Sequence, residues 1–234
     1  MTTAGAVTGP RRFATAAEGL AAEGGLLRAA REGQQGGLVW SSARPALVAP
    51  TALSRRPGYE GAAANSAARG WPVHLRPTGG GVTPQAPGIV NLALAGPADG
   101  LSTEAAYRRL CDLIATALAG LGIATATGAL AGSFCDGRWN LLCRGRKIAG
   151  TAQRWVPRRP PQRGWCLLAH AVILDDVALA APLAAIDDLS ADLQQPATSG
   201  PSAHTTVADE RAPGCGTRLD AMLAARAGDG FRQG

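Results

Sequence analysis

Apolar and polar positions recur along this chain with two periods, near 3.6 and near 2, and the changes between them mark its elements. From Phe13 to Arg31 Ala, Leu and Glu dominate, with Leu20, Leu26 and Leu27 as apolar anchors. This reads as a helix interrupted where Gly24 and Gly25 weaken it. GLVWSS (Gly37 to Ser42) and ALVA (Ala46 to Ala49) are short apolar runs separated by Arg44-Pro45, read as two strands joined by a turn. Tyr59 to Ala68 is an Ala-rich helix ending at Gly70. Pro72 to Arg76 is strand-like and is broken by Pro77-Thr78-Gly79-Gly80-Gly81, and Gly88 to Ala95 forms the next strand. Thr103 to Leu121 has the clearest helical spacing, in Leu110, Leu113, Ile114, Ala117 and Leu118, with Ser102 or Thr103 as N-cap and Gly122 as stop.

In the second half, Trp139 to Cys143 and Lys147 to Trp155 flank Arg144-Gly145-Arg146, a hairpin signal. The Pro- and Arg-rich stretch from Arg154 to Gly164 reads as a surface loop, Trp165 to Leu174 as a buried strand, and Val177 to Leu193 as a helix. Residues 196 to 216 are loop-like, and a last short helix is expected from Thr217 to Arg226. Strands interleave with helices, yet at least one strand pair is a hairpin, which argues for a mixed α/β (α+β) fold rather than a doubly wound parallel sheet. The expected organisation is a disordered N-terminal tail over residues 1–12, one catalytic domain over 13–195, and a C-terminal extension with a short helix over 196–234.

Composition narrows the function classes. In 234 residues, 46% are hydrophobic and only 4% aromatic, so the core is built mainly from Ala, Leu and Val. The net charge of +6 favours acidic partners, but no run of five basic residues and no nucleic-acid-binding signature occurs, which argues against a nucleic-acid partner. The longest nearly apolar stretch, Trp165 to Leu174, is too short to span a bilayer, and the first thirty residues lack the apolar block of a secretory signal. Neither a membrane role nor export is expected. Five cysteines, Cys111, Cys135, Cys143, Cys166 and Cys215, include no Cys-x-x-Cys pair. Zinc and a disulfide framework are disfavoured, no metal is expected, and a reducing, cytoplasmic setting fits. Of the 23 basic residues one alone is a lysine, Lys147, where a compact ammonium is either wanted or a chance survivor.

Three segments carry candidate chemistry. Arg76-Pro77-Thr78-Gly79-Gly80-Gly81 ends a strand; three glycines let backbone N–H groups approach a ligand, and Arg76 can add charge, although a bare triple glycine reads first as a flexible turn. In Gly132-Ser133-Phe134-Cys135-Asp136-Gly137 the cysteine lies in an exposed loop, a nucleophile or a passive thiol, with Asp136 opposing ionisation. In Gly145 to Gln153, strand alternation puts Lys147, Ala149, Thr151 and Gln153 on one face, with a lysine able to bond an acyl carbonyl. The hairpin does not by itself bring Cys135 to Lys147; residues 132–137 would have to fold back. His170 reads as a satisfied core residue, and His74 alternates with Arg76 towards the same cleft.

Together these segments resemble the biotin/lipoate protein ligase and octanoyltransferase superfamily. LRPTGGGVTPQAPGIVNLAL (Leu75 to Leu94) resembles its Arg-x-Ser/Thr-Gly-Gly-Gly strand–turn–strand, and GRKIAGTAQRW (Gly145 to Trp155) its Lys-Ile-Ala/Ser-Gly-Ser/Thr-Ala-Gln segment. GSFCDGRWNLLCRGRKIAGTAQRW is most similar to the lipoyl/octanoyl amidotransferase branch, whose loop reads Gly-Ser-Tyr-Cys-Pro-Gly. Two positions depart: Asp136 replaces the Pro, and Gln85 stands where ligases and other octanoyltransferases have His.

The resemblance implies a mixed, largely antiparallel sheet flanked by helices. Cys135 is implied as acyl acceptor and Lys147 as the contact to the acyl carbonyl. Arg76, Thr78, Gly79, Gly80, Gly81, Gly150, Thr151 and Ala152 are implied to line the substrate pocket. The implied reaction moves an octanoyl or lipoyl group from an acylated carrier, such as glycine cleavage H protein, to a lysine of a lipoyl domain. It needs no cofactor. Basic residues including Arg154, Arg158, Arg159 and Arg163 would steer acidic lipoyl domains. The alternatives are an ATP- and Mg-dependent lipoate–protein ligase acting through lipoyl-AMP, and a non-catalytic binder of acyl groups or lipoyl domains.

Overall fold

The computed structural model describes residues 7–197, 200–211 and 218–230. A seven-stranded sheet forms the centre, built from β1 (Val7–Phe13), β2 (Gly36–Ser42), β6 (Ile89–Pro97), β7 (Ala126–Gly128), β8 (Asn140–Cys143), β9 (Arg146–Pro157) and β10 (Trp165–Leu174). Their spatial order is β1-β2-β6-β10-β9-β8-β7. Every pair is antiparallel except β1 with β2. A second sheet, ordered β4-β3-β5, holds β3 (Ala46–Pro50) between β4 (Val73–Arg76), parallel, and β5 (Thr83–Gln85), antiparallel. The expected mixed, largely antiparallel architecture is the observed one.

Alternation along β10 sorts the two faces of the large sheet. Leu167, Ala169, Ala171 and Ile173 join Leu110, Ile114 and Leu118 of α3 (Thr103–Ala119) and Leu219, Leu223 and Ala227 of α6 (Leu219–Gly230) in one apolar cluster. Val172 and Leu174 point the other way. There they meet Leu47 of β3, Ala62 of α2 (Tyr59–Ala68) and Leu183, Ile186 and Leu189 of α4 (Ala180–Asp192). On that side α1 (Ala16–Arg31) also packs, covering Ala93, Ala95 and Leu168 through Ala30, Leu26 and Leu27.

Several expectations are corrected. Residues 7–12, expected in a disordered tail, form most of β1 and pair with β2; Phe13 stacks edge-on against Trp40 with centroids 6.1 Å apart. α1 runs unbroken through Gly24 and Gly25. Its first turn is capped by Thr15, whose side chain accepts the Glu18 N–H, while Glu18 accepts the N–H of Ala14 just ahead of the cap at 3.1 Å. Gly19 is required in this helix, because a Cβ there would overlap the Trp40 ring. The two strands read as joined by a turn, β2 and β3, enter different sheets. The Arg-rich loop begins four residues later than expected, at Arg158, since β9 continues to Pro157.

The segment read as loop from residue 196 carries structure too. A four-residue helix, α5 (Val207–Glu210), follows Thr206, whose side chain accepts the Asp209 N–H at 3.1 Å. Ahead of it Lys147 and His204 form a parallel bridge, and the Thr205 N–H donates to the Lys147 carbonyl at 2.9 Å. Among the described residues no helix is long and apolar enough to cross a membrane.

Candidate active site

The glycine turn leaves the edge of β4 and is fixed from below by Arg76. This guanidinium is 3% exposed and donates to the carbonyls of Val48 (2.8 Å), Gly79 (3.0 Å) and Gly81 (2.7 Å). A buried guanidinium must have its donors satisfied, and backbone carbonyls do this here. Arg76 therefore shapes the turn rather than presenting a free charge to a ligand. Gly80 has φ +98°, and a Cβ there would lie 2.7 Å from Cys135 Sγ, so the turn is bare where the sulfur rests. The Gly81 N–H donates to that sulfur at 3.0 Å.

Residues 132–137 do fold back. Ser133 anchors the loop by donating from Oγ to the Leu130 carbonyl at 2.8 Å, and Asp136 Oδ1 accepts the Leu130 N–H at 2.7 Å. Phe134 inserts into the core, 1% exposed, with its ring stacked on His204 at 4.9 Å. Its N–H donates to His204 Nε2 at 3.2 Å, while His204 Nδ1 bonds the Gly200 carbonyl at 2.9 Å. Burial lowers the His204 pKa, which suits an imidazole that must accept at Nε2. Cys135 itself holds φ 49°, a left-handed conformation unusual for a residue with a Cβ.

Lys147 closes the arrangement. Fully buried, its Nζ donates to the Phe134 carbonyl and, at 3.1 Å, to the Cys135 carbonyl, and lies 4.1 Å from the centroid of the Phe134 ring. Burial pulls its pKa from the ordinary lysine value to about 8, against the opposing pull of Cys135 and Asp136.

The expected face alternation fails here. Leu141 pairs with Ala149 but Leu142 pairs with Lys147, so Ile148 is the extra residue of a β-bulge. The bulge reverses the pleat. Ile148 and Ala149 both enter the cluster with α3, while Lys147 shares its face with Gly150 and Ala152. A Cβ on Gly150 would stand 3.2 Å from Nζ, so this glycine makes room for the ammonium. Thr151 turns its hydroxyl away to donate to the Trp139 carbonyl at 2.7 Å, and Gln153 donates to the Thr103 carbonyl at 2.9 Å.

Two hollows meet at Cys135. An inner cavity of about 40 Å³ runs past Gly150, Ala152 and Val172 to Trp40, Gln85 and Asn91. An outer groove of about 470 Å³ is bounded by Gly79, Gly80, Gly81, Tyr107, Trp139 and Gln153. At the inner wall Thr78 Oγ1 and His170 Nε2 share a hydrogen bond of 2.9 Å, His170 Nδ1 meets Glu23 Oε2 at 2.7 Å, and Glu23 Oε1 accepts the Trp40 indole N–H at 2.9 Å. His170 is thus a satisfied interior residue, as expected, although it borders the cavity. Gln85 and Asn91 exchange two side-chain hydrogen bonds at 2.8 and 2.9 Å. His74, expected beside Arg76, borders neither hollow.

Of the arginines expected to steer partners, Arg158 pairs with Asp99 at 3.2 Å and Arg159 with Glu32 at 3.3 Å, while Arg154 donates to the Pro77 carbonyl at 2.6 Å. Cys111, Cys143 and Cys166 are buried, and Cys215 lies outside the described residues. Burial pushes the Cys111 thiol up to about 11. Sequence reading missed Glu23, Asn140 and His204. Glu23 is an acid on the core stripe of a helix, a signal that was available. His204 gave none, because its partners are contributed by distant strands and loops.

The chain is similar to known proteins. Residues 16–210 match the family model of the lipoyl protein ligase A/B catalytic domain. An uncharacterised protein of Cupriavidus necator is 44% identical over 163 residues, 64% of this chain and 63% of that protein. An octanoyl-[GcvH]:protein N-octanoyltransferase of Kyrpidia tusciae is 42% identical over 110 residues, 44% of this chain and 38% of that enzyme. The match therefore spans less than two thirds of either relative's length. Among solved structures, a lipoate-protein ligase A bound with ATP superimposes with a TM-score of 0.70 at 18% identity, covering 99% of this chain and 84% of that one. A bipartite lipoate protein ligase of Thermoplasma acidophilum gives 0.65 at 13% identity, covering 99% and 83%. These likenesses carry the fold, and the family match, over most of the sequence, carries the kinship: the chain belongs to the lipoyl protein ligase A/B catalytic domain family.

Proposed function

We propose that this protein transfers an octanoyl or lipoyl group between proteins through a thioester on Cys135. The observation that carries this reading is the position of the sulfur. It is half-buried, at the junction of an inner cavity and an outer groove, and accepts the Gly81 N–H at 3.0 Å. In the first half-reaction sulfur bonds to the acyl carbonyl carbon and the amide C–N bond to the carrier's lysine breaks, the thiol proton ending on the departing amine. In the second, the acceptor lysine's nitrogen bonds to the same carbon, the C–S bond breaks and the proton returns to sulfur. Splitting one difficult exchange into two easier ones is the use of a covalent nucleophile.

Lys147 holds the two carbonyls that set the Cys135 loop and places positive charge beneath it; Gly79, Gly80, Gly81, Gly150 and Ala152 leave the space for the acyl group. Arg76 and Thr78 act at one remove, by fixing the turn. The name of the Kyrpidia relative points to GcvH as the carrier, and a lipoyl domain is the acceptor in this reading.

The test is transfer from octanoylated GcvH to an apo lipoyl domain without ATP, followed by intact-mass measurement. Product without ATP, with an octanoyl adduct on wild type and none on Cys135→Ala, is expected. Transfer that requires ATP and Mg and survives Cys135→Ser would replace this reading by the ligase one, which the fold likeness to an ATP-bound ligase favours. Binding with neither adduct nor product would indicate a non-catalytic binder.

A further inference from the structure

We propose that Asn140 is a catalytic residue of this site: its Nδ2–H donates to the oxyanion that forms when a carbonyl is attacked by Cys135. The inference rests on the thioester reading above. Asn140 opens β8 and is 2% exposed. Its backbone N–H is tied to the Gly137 carbonyl at 3.2 Å, at the end of the Cys135 loop. Leu141, next along the strand, faces the α3 cluster, so Asn140 faces the opposite way, towards Gly150 and Lys147. A point one Cβ above Gly150 lies 3.5 Å from Asn140 Oδ1 and 3.2 Å from Lys147 Nζ. The amide oxygen and the ammonium thus border one space above Gly150, and the other end of the amide is its amino group.

That amino end, Nδ2, is buried without a hydrogen-bond partner among the described residues, and its residue lines the outer groove together with Cys135, Gly80 and Gly81. A buried donor left unmet is costly in a resting protein. A donor reserved for charge that develops only during reaction has this appearance. Lys147 is less available for the task, since its ammonium already serves two carbonyls.

The probe is p-nitrophenyl octanoate, which acylates a thiol through the same intermediate. Sulfur bonds to the carbonyl carbon, the π pair moves to oxygen, then returns as the bond to nitrophenolate breaks. Wild type is expected to release a burst of one equivalent, and Asn140→Ala and Asn140→Asp to slow the burst by about 100-fold. Alkylation of Cys135 by iodoacetamide, which displaces iodide and forms no oxyanion, should stay within about threefold of wild type in the variants. A burst in wild type that both variants match overturns the role of Asn140 and leaves the thioester reading standing. Alkylation slowed as much as acylation assigns Asn140 a structural role and likewise overturns it. No burst and no Cys135 adduct in wild type overturns both.

Discussion

At the residue scale the site is governed by a lysine placed where a charge is expensive. Lys147 is fully buried, and the proton it carries is held by carbonyl oxygens and the face of Phe134, with Cys135 and Asp136 adding a favourable charge interaction. Its pKa near 8 has a thermodynamic consequence. An unfolded lysine keeps its proton up to about pH 10.4. Below pH 8 both states are protonated, and folding bears the full penalty of a buried ammonium. Between pH 8 and the unfolded value the unfolded state binds the extra proton, so raising the pH favours the folded state. The unfolding free energy of wild type minus that of Lys147→Met should therefore rise across this window, by up to about 3 kcal/mol. Urea titrations of both proteins at pH 7, 8, 9 and 10 measure it, and a flat or falling difference would refute the assignment. Taking the difference cancels the groups that titrate alike in both proteins, and the hydrogen bonds lost in the variant offset the curve without tilting it.

At the element scale, helix α1 shows how packing overrides propensity. Gly24 and Gly25 were expected to interrupt it, yet the Thr15 N-cap and burial against β6 and β10 keep it whole. The same helix contains two glycines with opposite meanings. A Cβ on Gly19 would strike the Trp40 ring, whereas one on Gly25 meets only the end of Arg28, at 3.7 Å. Gly19→Ala should destabilise by about 1–3 kcal/mol through overpacking. Gly25→Ala should stabilise by about 0.5–1 kcal/mol through helix propensity. Chemical denaturation of the pair decides this; equal shifts of one sign would mean that α1 does not sit on Trp40 as described.

Legibility in the sequence follows the same division. The elements whose signals are local, such as α2, α3 and the β8–β9 hairpin, stand where apolar periodicity and turn residues put them. Strand β1 was hidden because five of its seven residues are exposed and none is buried, so it shows no apolar alternation, and its backbone pairs with a strand about thirty residues away. The bulge at Ile148 was hidden for a related reason. Alternation is read by counting, and one inserted residue reverses every face beyond it. Hence Lys147 and the glycine turn were legible as parts of the candidate site, while the faces of Ala149, Thr151 and Gln153 were not.

For the whole molecule, the tested consequence is that the chain beyond Gln195 is a working part of the domain, not an appendage. Three long-range ties run from it to the site: the Gly200 N–H to the Gly132 carbonyl at 2.9 Å, His204 Nε2 to the Phe134 N–H, and the Thr205 N–H to the Lys147 carbonyl. Farther along, Glu210 accepts from Thr205 at 2.8 Å and pairs with Arg146. Helix α6 then buries Leu219, Leu223 and Ala227 against α3 and the sheet. Two fully buried leucines contribute about 1.5–3 kcal/mol each, and in a domain this size each kcal/mol moves the melting temperature by about 2–4 °C. A chain ended at Gln195 should therefore melt about 6–24 °C below the full protein, or without a cooperative transition. Its Cys135 should also lose the protection of a fixed loop, which limited proteolysis between residues 130 and 138 would register. A truncated chain that melts with the full one and resists cleavage there would show that the domain ends where its sequence pattern first suggested.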